Sequence, residues 1–376
     1  MPWREVSVMD QRIEFVALAR QGGSNRRELF RRFGISAKTG YKWLARADAG
    51  ETAWSTDRSR RPHETPTRTE AALEAAVLGV RDQHPAWGAR KIQRCLERNG
   101  LAAPVASTVH AILVRHGRIA APLRAPVHCR FEHPAPNLVW QMDFKGRFPL
   151  RDRRWCHPLT MVDDHSRYAL CLQACANEQG DTVRHQLERT FRRYGLPDAF
   201  LVDNGTPWGS GPEQRWTKLG VWLLKLGVDV IHSRPYHPQT RGKNERFHRT
   251  LKAEVLTMRT FRSFGEIQAA FDRWRHLYNH ERPHEALGQN VPVSRYRPSQ
   301  RSMPDRLPEP EYQPGDIIRT VGTTKAYVSF KGKPRLVPQA FLGERLALRP
   351  LNLDGQYGIF YGSRQIATFD LHDSSS

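Results

Sequence analysis

Apolar and polar positions change rhythm along this 376-residue chain, and the changes mark its parts. From about Ser7 to Ala49 the apolar residues recur at helical spacing. Ser24 reads as an N-cap, Gly34 as a turn, and Ser36 as the N-cap of the next helix. Leu29, Phe30, Phe33, Ile35, Trp43 and Leu44 would form the core between these helices, the pattern of a helix-turn-helix. Lys38, Thr39 and Lys42 would then lie on the outer face of the second helix, within reach of a DNA major groove. Further helices are predicted over 70–83, 89–99 and 106–115. They form either a second helix-turn-helix or winged variant, with Ser107, Thr108 and His110 outward, or a purely structural bundle.

Past Pro136 the rhythm becomes that of strands. Strands are predicted over 138–150, 157–163, 169–174, 199–202 and 228–232, and helices over 181–194, 213–226, 243–258 and 264–279. Ser263 and Glu266 make a capping box for the last helix. The order β-β-β-α-β-α-β-α-α implies a mixed sheet with helices packed on it. After a Pro-rich break at 297–314, residues 315–371 alternate as short strands, with a turn at Leu353-Asp354-Gly355, and suggest a small β-barrel. The expected organisation is multidomain: an all-α helix-turn-helix domain (1–50), a linker (51–69), a second helical domain (70–117) and a basic linker (118–136). An α/β core with a mixed sheet (137–298) and a small β-barrel (310–372) complete it.

Charge narrows the partners. Fifty-nine Lys and Arg face 38 Asp and Glu, a net charge of +21, so a polyanion comes first among partners. Five cysteines without a C-x-x-C pair suggest neither a disulfide framework nor a zinc ribbon. No signal peptide and no run of about 18 apolar residues is present, so a cytoplasmic, nucleoid-associated protein is expected.

Three segments carry candidate chemistry. In Trp140-Gln-Met-Asp143-Phe, strand alternation turns Asp143 away from Met142 and Phe144. Phe200-Leu-Val-Asp203-Asn-Gly205 ends an apolar strand on an acid, although Asp-Asn-Gly is also ordinary turn chemistry. A long polar motif from His237 to Lys252 runs into a helix whose first turn holds Glu245. Carboxylates are the ligands that Mg²⁺ or Mn²⁺ prefers, and two such ions about 4 Å apart suit phosphoryl transfer. Arg249 and Lys252 follow Glu245 at i+4 and i+7 and, with Lys243, are candidates for phosphate contacts. Asp163 and Asp164 could mimic active-site acids, but Asp164-His-Ser-Arg167 reads as a turn with a structural ion pair. Trp208 and Trp216 fit base stacking or core packing equally, and neither His232 nor His237 has zinc-ligand spacing.

Together, the Asp143 strand, Asp203-Asn-Gly205 and His237-Pro-Gln-Thr-x-Gly-x-x-Glu245-Arg-x-x-x-Thr-Leu-Lys252 resemble the catalytic core of bacterial insertion-sequence transposases related to retroviral integrases. The resemblance runs through Tyr278-Asn-x-x-Arg282-Pro-His284-x-x-Leu287 to Pro292 and Tyr296, and covers about 137–298. It implies a ribonuclease H-like core and a triad of Asp143, Asp203 and Glu245 that binds metal. It also implies cleavage that leaves a 3′-OH, strand transfer into target DNA, terminal-repeat and target DNA as partners, and a dimer or higher multimer. The spacing from Asp203 to Glu245 exceeds the family pattern, with the extra length around 206–216. A nuclease without strand transfer and a DNA-binding regulator with an inactive core are the two alternatives.

Overall fold

The computed structural model describes residues 7–50, 53–58, 69–119, 132–209, 216–232 and 242–372. Most of both expected linkers, the middle of the 206–216 loop and the 237–241 stretch of the third motif lie outside the described residues. The chain forms two units, Met1–Arg68 and Thr69–Ser376.

In the first unit, α1 (Val8–Ala19), α2 (Arg26–Arg32) and α3 (Ala37–Asp48) enclose Phe15, Val16, Phe30, Trp43 and Leu44. Leu29, Phe33 and Ile35 pack at the margin of that cluster. Ser36 caps α3 by accepting the Thr39 amide at 3.2 Å. The cap of α2 falls on Asn25, not Ser24. Asn25 Oδ1 accepts the amides of Arg27 and Glu28, while the Ser24 hydroxyl is spent on the Ala19 carbonyl, closing the turn before it. Between α2 and α3, Gly34 takes φ +62°. The two helices then cross so closely that a Cβ at Gly40 would stand 2.1 Å from Phe30 Cε1.

The second unit begins with α4 (Ala71–Gln83), α5 (Ala89–Arg98) and α6 (Ala106–Arg115), which bury Val77, Trp87, Ile92, Leu96, Val109 and Ile112. Their polar anchor is the buried Glu74, which takes Arg115 at 2.5 Å and His116 at 3.1 Å. These helices are fastened to the sheet-bearing part. Arg90 pairs with Glu285 at 2.9 Å, and Arg98 donates to the Glu281 carbonyl at 3.2 Å.

The central sheet contains β1 (Val139–Phe144), β2 (Phe148–Pro149), β3 (Trp155–Asp163), β4 (Ala169–Cys175), β5 (Ala199–Val202) and β6 (Asp229–His232). The single strand expected over 138–150 is two, because Gly146 at φ +86° turns the chain between β1 and β2. β1 is central, antiparallel to β3 and parallel to β5. β4 pairs with β3 and β6 with β5. One face packs against α7 (Gly180–Tyr194) and α8 (Lys218–Lys225) through Trp140, Met142, Phe191, Phe200, Val202 and Trp222. The other packs against α9 (Gly242–Leu251) and α10 (Phe264–His280) through Cys156, Val162, Leu172, Phe247, Leu251 and Phe271. A π-helical turn, Lys252–Leu256, continues α9. Asn279 of α10 clasps β4 by bonding both the amide and the carbonyl of Ala169, at 2.8 and 3.0 Å.

The C-terminal strands are β7 (Ile317–Thr320), β8 (Tyr327–Phe330), β9 (Lys333–Leu336), β10 (Arg345–Pro350), β11 (Gln356–Tyr361) and β12 (Arg364–Asp370). The expected barrel does not close among the described residues. β12-β11-β10-β7 is an open antiparallel sheet, and β8 and β9 form a separate hairpin. Closure requires a full circuit of paired strands, and among the described residues β8 and β9 pair only with each other, so nothing links β12 back to β7. Val221 of α8 instead joins Phe341, Leu346, Leu348 and Ile359, so a helix covers apolar surface that closure would have sealed.

Candidate active site

The site begins with alternation along β1. Trp140 and Met142 belong to the α7/α8 face, so Gln141 and Asp143 belong to the other. Two contacts agree. The Asn244 amide of α9 donates to Gln141 Oε1 at 3.2 Å. Thr160 stands opposite Asp143 across the β1–β3 pair. Its hydroxyl donates to the Asp143 carbonyl at 2.9 Å and meets His248 Nε2 of α9 at 2.8 Å.

Asp203 follows from the parallel neighbour. Val139 pairs with Ala199, Trp140 with Phe200 and Gln141 with Leu201. The same offset carried two residues further sets Asp143 alongside Asp203. Phe200 and Val202 point to the α7/α8 face, so alternation gives Asp203 to the face of Asp143. Asp203 also does the turn work its sequence suggests, since its Oδ1 accepts the Gly205 amide at 3.0 Å. Its carbonyl meets His232 Nδ1 at 3.0 Å.

Glu245 sits exposed in the first turn of α9, and Arg249 and Lys252 are also exposed. Two strand acids and the first turn of α9 are thus assigned to one side of the sheet. Among the described residues, no group of three or more His, Cys, Asp or Glu side chains stands at metal-holding distance. The donor type nevertheless suits a hard divalent cation, because all three side chains offer carboxylate oxygens.

A buried polar clamp holds the first turn of α9 against β1. Gln141 Nε2 donates to Asp164 Oδ1 at 2.8 Å, and Lys243 forms an ion pair with Asp164 Oδ2. Burial alone would raise the Asp164 carboxyl, but the hydrogen bond and charge of Lys243 hold it below its usual range. Burial is also the largest effect on Lys243 and lowers its ammonium. The ammonium assigned to DNA from the sequence is therefore largely enclosed, with its charge directed at Asp164. Sequence reasoning missed Gln141, Thr160 and His248. The available signal was that Gln141 shares the strand parity of Asp143, and His248 the helical face of Glu245.

Other singled-out residues find structural employment. Asp163 is fully buried and accepts the Asn137 amide at 2.8 Å and the Ser166 hydroxyl at 2.6 Å; burial pushes its carboxyl up. Trp208 is core and stacks on Phe144, and Trp216 packs edge-on against Phe341. In the first unit Lys38 and Lys42 are exposed. Lys42 Nζ lies over the Trp43 ring at 4.5 Å. Thr39 is half-buried, with its hydroxyl 2.9 Å from that of Ser36. Tyr41, unremarked in the sequence, is exposed on the same helix. In the second helical set, Ser107 is exposed, whereas Thr108 and His110 are half-buried.

Comparison with known proteins adds independent findings. Residues 133–238 and 226–292 match family models of an integrase core domain, and 316–376 match the C-terminal domain of the IS481 transposase family. Residues 39–113 match a homeodomain-like domain. A 31.7 kDa protein of insertion element IS407 from Burkholderia multivorans is 27% identical over 54% of this chain and 67% of its own. A 39.2 kDa protein of insertion element IS476 from Xanthomonas euvesicatoria is 25% identical over 61% of this chain and 65% of its own. A Gag-Pol polyprotein of baboon endogenous virus is 26% identical over 54% of this chain and 11% of its own. The chain thus spans about two thirds of each of these insertion-element relatives. Among the described residues, no helix is long and apolar enough to cross a membrane.

Proposed function

We propose that this chain, whose residues 133–238 match an integrase core domain and 316–376 the C-terminal domain of IS481 family transposases, is a DNA transposase. It binds the terminal repeats of a mobile element through the α1–α3 unit, with Lys38, Thr39 and Lys42 toward the groove. It cuts at the element ends and joins the freed 3′-OH to target DNA. Asp143, Asp203 and Glu245 are the residues that would hold Mg²⁺ or Mn²⁺, two ions by the chemistry of such sites. When bound, the metal supplies Lewis-acid activation of the attacking oxygen and charge for the departing one.

The chain's own groups do the rest. Asp143 would present its carboxylate from β1, Asp203 from the residue after β5, and Glu245 from the first turn of α9. Arg249 and Lys252 neutralise phosphates of the bound duplex. In the first step water attacks phosphorus and the 3′ oxygen leaves with a proton. In the second that 3′-OH attacks a target phosphodiester, and the target's 3′ oxygen leaves. Cutting two ends together calls for a dimer or higher multimer.

What supports this reading is the parallel β1–β5 register, Val139 with Ala199 through Gln141 with Leu201, whose offset continued two residues would set Asp143 alongside Asp203 on the face where α9 is held. Labelled terminal-repeat DNA with Mg²⁺ tests it. Wild-type protein should release a 3′-OH end and produce joined DNA, and Glu245→Gln should do neither. Cleavage without joining would leave a nuclease. Undiminished product from Glu245→Gln would overturn the assignment of Glu245.

A further inference from the structure

The hairpin between β1 and β3 begins two residues after Asp143 and is crowded with exposed arginine. Arg147, Arg151, Arg153 and Arg154 come from this hairpin, and Arg259 and Arg262 from the segment after the π-helical turn. The two segments are joined. The Arg151 amide donates to the Phe261 carbonyl at 2.9 Å, and Arg151 Nε donates to Thr260 Oγ1 at 2.8 Å. Beneath them Leu150 and Phe261 are buried in the α9/α10 apolar cluster, so the patch rims the face assigned to Asp143.

Three of these arginines are held against rings. Arg147 lies 4.7 Å over Trp155, Arg154 4.9 Å over Phe264, and Arg259 4.8 Å over Phe261. A stacked guanidinium keeps its N–H edge outward and loses little rotamer freedom when it meets an anion. Two acids temper the patch: Asp152 pairs with Arg154 at 2.6 Å, and Glu266 accepts the Arg262 amide at 2.7 Å. The balance stays strongly positive. Trp155 is 46% exposed, but Arg147 lies over its ring, which argues for phosphate contact over base stacking.

We propose that this arginine rim binds the phosphate backbone of duplex DNA beside the site of strand cleavage, without reading its sequence. Along the chain, Arg249 of α9 and Lys252 of the π-helical turn lead to Arg259 and Arg262, whose segment is joined to the hairpin through Arg151. The inference rests on the reading of this chain as a DNA-processing protein but needs no catalytic role for any carboxylate.

The test is metal-free binding of full-length protein to a labelled terminal-repeat duplex at several salt concentrations. Each phosphate contact adds roughly 0.9 to the slope of log K against log salt. The variant Arg147→Gln/Arg153→Gln/Arg259→Gln/Arg262→Gln should lower that slope by about 2 to 4. A charge-matched control, Arg184→Gln/Arg189→Gln/Arg192→Gln/Arg193→Gln on α7, lies on the opposite face of the sheet and should leave it within about 1. Equal slopes for wild type and the hairpin variant, or equal losses in variant and control, would overturn the proposal while leaving the transposase reading intact. Absence of any DNA binding by wild type would remove both. Circular dichroism of each variant separates lost contacts from lost folding.

Discussion

The two faces of the central sheet use alternate residues of the same strands for different ends. Toward α7 and α8, β1 and β5 present Trp140, Met142, Phe200 and Val202, a closed apolar layer. Toward α9, the same strands present Gln141, Asp143, Leu201 and, one residue past β5, Asp203. Thr160 of β3 and Asp164 lie beside them. Burial on one face secures the strands, so the other can carry polar groups that would destabilise an isolated strand pair. Pleat parity separates the two sets of side chains, and packing against α7 and α8 stabilises the sheet that carries the acids.

Asp143→Asn should lower strand cleavage about a thousand-fold or more, as expected when a metal ligand worth several kcal/mol is lost. Its urea midpoint should stay close to wild type. Three residues earlier on the same strand, Trp140→Ala should do the reverse, costing about 3–5 kcal/mol of stability through the cavity it leaves. Its readout is the shift in urea unfolding followed by far-ultraviolet circular dichroism. Comparable loss of stability in both variants would erase the division between faces.

Lys243→Met should destabilise by about 3 kcal/mol at neutral pH, because Asp164 is left buried without its cation. Asp164 has a lowered folded pKa in the wild type. Its stabilising contribution is therefore present above the ordinary carboxylate value near 3.8 and lost as pH falls through the lowered value. In the variant, burial instead raises the carboxyl, so the deficit against wild type should shrink as pH falls through that raised value. A deficit constant from pH 7 to pH 3 would show that Asp164 is not the group involved. The smallest effect is Thr160→Val, about 1 kcal/mol for one hydroxyl between Asp143 and His248, read by the same denaturation.

Much of the fold was legible in the chain because local rules set it. The strand 199–202 and the helices opened by Ser36 and Ser263 follow alternation and capping closely. The misses have local causes too. Gly146 splits a run that apolar content alone joins, and Asn25 replaces Ser24 as a cap because Ser24 closes the preceding turn. Lys243 read as a surface cation, since nothing in the motif reveals that Asp164, nearly eighty residues earlier, lies beneath it.

Local sequence carries the period of the apolar residues, the acids that interrupt a strand and the strongly basic composition. These depend on composition and on the two-residue and 3.6-residue repeats. Tertiary structure alone puts β1 beside β5, with an offset that continued two residues would set Asp143 alongside Asp203. It alone decided that α9 is clamped through Gln141, Asp164 and Lys243, and that two separate arginine segments share one rim. Each is a contact between distant parts of the chain, made possible by packing and hydrogen bonds that no local repeat encodes.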